Sequence, residues 1–439
     1  MFSSLYDFFK NKRVLILGLG REGRSTLEIL KKIPCTIGIS DKNLTVTEDI
    51  KEYELYSGED YLDCIDNFDI IMKSPGIALF NNVPEETKAK ITSQTDLLLR
   101  YCKNRIIGIT GTKGKSTTSS LTCHILKNCG LDAILIGNIG IPPLQRIEDF
   151  KEDTVIVCEM SCHQLEYVKA SPDIAVLLNV FEEHLDHYVD LNAYKSAKEN
   201  IYRYQNENDT LIINKNNLKD GIKSKIVTAS LTDNADIRLI ENRLIIGRKS
   251  FDTDKIKTKL IGRHNLYNIG IAVYIAEKMG CKDEDIFEAV STFTGLTHRL
   301  EEIGVFGGVH YINDSISTCP STAIAAVNAF DKTDTLIIGG MDRGIDYTEL
   351  VDFVNRSDID NIILLPDSGY RIFDRLDGSK RNIVKVSDME EAVKTAKKVT
   401  KYRCILSPAA ASYGFYKNFE ERGEHFRKLV KEICCDESR

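Results

Sequence analysis

Gly108-Ile109-Thr110-Gly111-Thr112-Lys113-Gly114-Lys115-Ser116-Thr117-Thr118 follows an apolar approach, Arg105-Ile106-Ile107, and runs into a helical pattern from Ser119 to Leu126. Strand, glycine-rich turn, Lys-Ser and helix is the order that a phosphate cradle requires. The glycines let backbone N–H groups crowd around phosphate oxygens. The helix N-terminus adds a partial positive charge and Lys115 a full one, and the Ser116 hydroxyl can hold Mg2+. The chain is therefore expected to bind a nucleoside triphosphate, with Gly111, Thr112, Lys113, Gly114, Lys115, Ser116 and Thr117 around its phosphates. The general P-loop pattern would put glycine at 109, where this chain has Ile109; its glycines fall at 108, 111 and 114.

Upstream of that loop, Val14-Leu-Ile-Leu17 reads as a buried strand, followed by Gly18-Leu-Gly20-Arg-Glu-Gly23 and a helix over 25–32. A second strand, 36–40, ends at Asp41, and Phe68–Met72 leads into Ser74-Pro75-Gly76. Gly18-x-Gly20-x-x-Gly23 with a downstream acid satisfies the dinucleotide fingerprint. Three readings are open. The turn is a tight strand–helix junction, it holds NAD in a dehydrogenase, or it holds the diphosphate of a nucleotide-linked substrate with Asp41 near its ribose or base. A triphosphate loop downstream favours the third, because NAD would leave that loop unexplained.

Downstream, strands 154–158 and 174–178 alternate with helical stretches, as in a parallel sheet covered by helices. Glu159 and Asn179 follow those strands directly, and His184 lies beside Glu183 and Asp186. Parallel sheets gather ligands at the carboxyl ends of their strands. A carboxylate and an imidazole there suit a phosphate-bridging Mg2+. Lys198, taken alone, reads as a solvated helix lysine. Asn265 to Met279 has helical apolar spacing, ends at Gly280, and presents Asn265 and Asn268 on one face. A third run begins near His298, with strands at 336–338, 361–365 and 403–406. The expected fold is α/β in three domains. A Rossmann-like N-terminal unit covers 1–100, a central P-loop parallel sheet 101–297, and a Rossmann-like C-terminal unit 298–439.

The net charge of −7, with 58 basic against 65 acidic residues and no basic run, argues against a nucleic-acid footprint. The 12 cysteines contain no C-x-x-C pair and read as buried, reduced thiols. Met1–Lys10 lacks the pattern of a signal peptide, and no stretch approaches the ~20 apolar residues of a membrane span. The expectation is a cytoplasmic monomer with no membrane or nucleic-acid partner.

Seven segments, GITGTKGKSTT, EMSCHQLE, LNVFEEHLDHY, GRHNLYNIGIAV, FTGLTHRLE, INDS and SPAAASYGFYKNFEERG, occur in this order along nearly the whole chain. The set resembles the Mur ligases, and SPA-x-AS…F-x-NFE-x-RG is similar to their glutamate-adding branch. The resemblance implies an ATP-dependent, ADP-forming ligase of peptidoglycan synthesis. Its substrates would be UDP-N-acetylmuramoyl-L-alanine, glutamate and ATP, with Mg2+ as cofactor.

The same resemblance assigns roles. Gly18, Gly20, Gly23, Asp41, Ser74, Pro75 and Gly76 would hold the UDP moiety, and Asn138 and His184 the muramoyl part. Lys115 and Ser116 would bind ATP phosphates and Mg2+; Glu159 and His184 would position a second metal ion. Lys198 matches a lysine that relatives carry as a carbamate, an anionic metal ligand. Only a neutral amine reacts with CO2, so such a site must favour that form. Asn265 and Asn268 would meet the adenine or ribose, and Arg299 and Asp314 would reach ATP on domain closure. Thr318, Arg343, Ser412 and the backbone at Phe419 would bind glutamate, with arginine apt for a carboxylate.

The chain departs from the family at that pocket. D-glutamate-adding enzymes usually read Asp-Ser-Lys-Ala-Thr-Asn, where this chain has Asp314-Ser-Ile316-Ser-Thr318-Cys319, and Ala410 replaces the cysteine of SPACAS. The form with Ile316 resembles a smaller branch that adds L-glutamate. D-glutamate is the expected substrate, with L-glutamate as the alternative.

Overall fold

The computed structural model describes residues 1–79, 83–139, 141–181, 187–260 and 262–435. The chain forms two compact units, Met1–Thr258 with Arg263–Phe293, and Lys259–Gly262 with Thr294–Arg439. The first contains two sheets and the second contains one.

The five-stranded sheet of the first unit runs Glu54–Tyr56, Thr36–Ser40, Arg13–Leu17, Ile70–Lys73, Ile91–Thr92 from edge to edge. All its pairings are parallel. Val14 to Leu17 are fully buried, as a continuous apolar run becomes when helices cover both faces of a parallel sheet. Strand order reverses at Arg13–Leu17, which has Thr36–Ser40 on one side and Ile70–Lys73 on the other. The carboxyl ends of these three neighbours therefore deliver Gly18, Asp41 and Ser74 to one crevice, where open α/β sheets bind ligands. The helix after Gly18 spans Arg21–Leu30 with Gly20 as its N-cap. It starts four residues earlier than the sequence pattern places it, because the glycine turn itself leads into the first helical turn.

The nine-stranded sheet places Ile106–Thr110 between Val155–Glu159 and Ile174–Leu177, again at a reversal of strand order. Its strands are parallel as far as Ile237–Ile240. Two antiparallel strands, Arg243–Ile246 and Lys249–Asp252, close one edge. Burial alternates along Ile237–Ile240 and Arg243–Ile246. One face lies under helix Arg263–Lys278, close enough that a Cβ on Gly270 would meet Ile237 Cγ2 at 2.9 Å.

In the second unit the order is Glu301–Phe306, Val309–Asn313, Arg403–Leu406, Thr335–Gly340, Asn361–Asp367, Asn382–Lys385. Only the first strand is antiparallel to its neighbour. Two apolar clusters, one built around Ile337 and Phe426 and one around Ile338 and Leu350, fill its core. The α/β architecture with three parallel-rich sheets agrees with the sequence. All twelve cysteines are free, but the expectation that they are buried fails in part: five are half-buried and Cys435 is exposed.

Candidate active site

The phosphate loop is shaped by its backbone. Gly114 has φ +88° in the left-handed region and caps helix Lys115–Asn128. A Cβ there would be 2.9 Å from Asn268 Oδ1, so glycine meets both the conformation and the close approach. Asn179, at the end of the neighbouring strand, clamps the loop on three sides. Its carbonyl accepts from Thr112 N at 2.9 Å, its Oδ1 accepts from Lys113 N at 2.8 Å, and its Nδ2 donates to Lys113 O at 2.9 Å. The sequence placed Asn179 at a strand end but gave it no task. Lys115 folds back over the loop, its Nζ donating to Gly111 O at 2.9 Å and Thr112 O at 3.0 Å.

Glu159 is fully buried at the end of its strand. Asn138 Nδ2 donates to its Oε1 at 2.8 Å, and Ser119 Oγ stands 3.5 Å from its Oε2. Ser119 lies one turn beyond Lys115 and was not singled out by the sequence. A buried carboxylate beside the hydroxyl-rich start of this helix, with Ser116 6% exposed, is a hard oxygen donor set. It fits a Mg2+ that takes one or two carboxylates and completes its shell from phosphate and water. His184, the other expected metal residue, lies outside the described residues.

Lys198 corrects the solvated reading. It sits on helix Leu191–Arg203, capped by the Asp190 side chain, and is 1% exposed. Its Nζ donates to Gly111 O at 2.9 Å and lies 4.6 Å from the centre of the Tyr194 ring. The Tyr194 hydroxyl is 2.9 Å from Thr112 Oγ1, which accepts from Phe181 N at 3.0 Å. Nothing in the local pattern of the sequence distinguishes this lysine from a surface one, because its burial comes from the sheet it packs on.

Asn265 and Asn268 share a helix face, as expected, and both are buried. Asn268 Nδ2 donates to Asn265 Oδ1 at 2.9 Å, while Asn268 Oδ1 accepts from Thr118 Oγ1 at 3.2 Å. This places the pair against the start of the loop helix.

At the first sheet, Gly18 has φ +90°, and a Cβ on Gly23 would lie 2.0 Å from Gly18 O. Gly23 therefore lets the helix lie against the turn, while the Cα of Gly20 faces open space. Asp41 Oδ2 accepts from Leu19 N at 2.8 Å and Ser74 Oγ donates to Gly18 O at 2.7 Å. Both residues brace the turn, a task the sequence did not reveal. Ser74-Pro75-Gly76 forms a tight turn closed by Ile77 N to Ser74 O at 3.2 Å.

In the second unit, Asp314 accepts from Leu300 N at 3.2 Å and from Ser407 Oγ at 2.8 Å. Burial pushes its carboxyl up to about 7, against the pull of those hydrogen bonds and of Arg299. Arg422 is buried and ties Ser315 O at 2.8 Å to Ala410 O at 3.0 Å, while Ser315 Oγ donates to Phe419 O at 2.8 Å. The Asp314 turn, the loop carrying Ser412 and the helix start at Phe419 are thus gathered at one end of the sheet. Thr318 is half-buried on that turn, and Arg343 is exposed beyond strand Thr335–Gly340.

The family model described as the Mur ligase middle domain matches residues 109–276. A Clostridium botulinum protein named UDP-N-acetylmuramoylalanine--D-glutamate ligase is 35% identical over 98% of this chain and 99% of its own length. A Clostridium kluyveri protein of the same name is 33% identical over 98% and 99%. The structure of MurF ligase from Thermotoga maritima in complex with ADP covers 97% of each chain at a TM-score of 0.57 and 17% identity. A pseudomurein peptide ligase type C from Methanothermus fervidus covers 96% of this chain and 100% of its own at 0.57 and 18%. At those identities the two structures speak for the fold. Among the described residues no helix is long and apolar enough to cross a membrane.

Proposed function

Because the chain belongs to the Mur ligase family and matches its glutamate-adding members from end to end, we propose that it joins D-glutamate to UDP-N-acetylmuramoyl-L-alanine with ATP in peptidoglycan synthesis. It is an ADP-forming ligase. The dehydrogenase reading of the Gly18 turn falls, since relatives spanning the whole chain are named as ligases. Their names also specify D-glutamate, which favours D- over L-glutamate as the substrate. The observation that carries the reading is the convergence of Lys115, Lys198 and the clamped loop on Gly111, in the unit that also contains the Gly18 crevice.

A carboxylate is a poor electrophile and has to be activated. The alanyl carboxylate of the UDP-linked substrate attacks the γ-phosphorus of ATP, and ADP leaves with the bonding electrons. The glutamate amine then attacks the acyl-phosphate carbonyl, loses a proton, and inorganic phosphate departs. Loop N–H groups and Lys115 hold the phosphates, so catalysis comes mainly from positioning and charge neutralisation. Mg2+, when bound, would neutralise phosphate charge; Ser116, Glu159, His184 and a carbamylated Lys198 are its proposed holders.

Gly18, Gly20, Gly23, Asp41 and the Ser74–Gly76 turn take the UDP moiety, with Asn138 and His184 nearer the muramoyl end. Asn265 and Asn268 serve the nucleoside of ATP. Arg299 and Asp314 keep the nucleotide contacts that the family resemblance gives them, and Thr318, Arg343, Ser412 and Phe419 the glutamate. The substrate-binding, ATP-binding and glutamate-binding domains are taken as 1–100, 101–297 and 298–439. The enzyme acts as a cytoplasmic monomer.

The test is purified protein with ATP, UDP-N-acetylmuramoyl-L-alanine and each glutamate enantiomer separately, with product mass measured. A product one glutamate residue heavier with the D form supports the assignment. Product with the L form alone reverses the stereochemistry, and no product with either removes the ligase reading.

A further inference from the structure

Lys73 ends strand Ile70–Lys73, and only 3% of its side chain is exposed. A lysine so placed needs a counter-charge. Glu166 supplies it, with Oε2 3.0 Å from Lys73 Nζ, and its other oxygen lies 2.6 Å from His187 Nε2. Both oxygens of one nearly buried carboxylate are thus engaged, by groups from two distant parts of the chain.

Glu166 directly follows the short helix Cys162–Leu165, itself fixed by a capping box between Ser161 and Gln164. From there, contacts run in two directions. Gln164 Nε2 donates to Glu22 Oε1, in the first turn of the Gly18 helix, at 2.7 Å. Ser74, next to Lys73, donates to Gly18 O. On the other side Asn200 Nδ2 donates to Leu165 O at 2.8 Å and Glu166 O at 3.3 Å. Asn200 lies two residues beyond Lys198 on the same helix.

A buried ion pair adds little net stability over a well-packed apolar pair, but losing one partner strands the other charge. What such a pair does supply is a fixed geometry between the elements that carry it. Here those elements are the strand leading into the Ser74 turn and the segment bonded to the Lys198 helix.

We propose that Glu166 is a positioning residue for the ligation. Through Lys73 it holds the Ser74–Gly76 turn in register with the Lys198 helix, so that the carboxylate of the UDP-linked substrate meets the phosphoryl site. This rests on the ligase reading above.

The test uses the full-length enzyme, Glu166→Gln, Lys73→Met and the double variant. KM is measured for each of the two nucleotide substrates, and the thermal midpoint for each protein. Glu166→Gln should raise KM for UDP-N-acetylmuramoyl-L-alanine about tenfold or more and change KM for ATP less than about twofold. Its thermal midpoint should fall, since Lys73 is left uncompensated. The double variant removes both charges; it should recover the midpoint yet keep the raised KM, a split that a purely structural pair would not give. A wild-type KM in folded Glu166→Gln, or recovery of KM together with the midpoint in the double variant, overturns the proposal. Should the single variant not fold, the double variant decides by the same criterion. Calorimetry showing that the wild-type enzyme does not bind the UDP-linked substrate would instead sink the ligase reading.

Discussion

Lys115 Nζ and Lys198 Nζ donate to the same carbonyl oxygen, that of Gly111, each at 2.9 Å. Both side chains are thereby anchored to the backbone of the glycine-rich loop, although they come from helices far apart in the chain. In the proposed ligase, a carbamate on Lys198 would bring a negative charge to the loop that Lys115 covers.

Lys198→Ala should therefore be inactive as a ligase and partly restored by added short carboxylates, which can occupy the vacated space and return the negative charge. Turnover with and without acetate or formate measures this. Full activity of the alanine variant without rescue would remove the carbamate from the account.

Lys115→Ala removes the cation proposed to hold the ATP phosphates while leaving Gly114 and the Asn179 clamp in place. ADP formation in the presence of both other substrates should fall at least about a thousandfold, as when a preorganised charge is lost from a phosphoryl-transfer site. Radiolabelled ADP release at several ATP concentrations distinguishes this from a mere rise in KM.

Asp314 gives the second unit a pH dependence of stated sign. Burial raises its carboxyl from 3.8 to about 7. Below about pH 4 the group is protonated whether the chain is folded or not, and no stability is lost. As pH rises from about 4 to about 7 the unfolded chain gives up the proton first, so stability falls. Above about pH 7 the loss is complete, on the order of a few kcal/mol. Asp314→Asn abolishes this contribution. The thermal midpoint of the variant minus that of the wild type should grow between pH 4 and 7 and then level off. A difference independent of pH would contradict the burial effect.

How far the sequence could be read depended on whether a residue's role is local. Gly18, Gly23 and Gly114 stand in turns whose close approaches or left-handed backbone require glycine, and their spacing marked those turns. Asp41 and Ser74 could be placed at strand ends, yet their bonds to Leu19 N and Gly18 O needed the neighbouring strands. Lys198, Asn179 and Glu166 act across elements far apart in the chain. Lys198 looked like a surface lysine because helical spacing says nothing of what a helix packs on. The antiparallel pair Arg243–Ile246 and Lys249–Asp252 was likewise unread, being short and half-exposed at a sheet edge.

Arg343 is exposed and outside the core, so Arg343→Ala should leave the thermal midpoint unchanged. If its guanidinium receives a glutamate carboxylate, KM for glutamate should rise about tenfold or more with KM for ATP little altered. An unchanged KM for glutamate would remove Arg343 from the pocket.

The central claim is that ATP's terminal phosphoryl is passed to the acyl end of a UDP-linked substrate before the amide forms. It is tested most directly by labelling the alanyl carboxylate with oxygen-18 and following the label through turnover with ATP and D-glutamate. Transfer of one labelled oxygen into the released inorganic phosphate is the predicted result. Phosphate free of label, with the expelled carboxylate oxygen recovered in water instead, would contradict it.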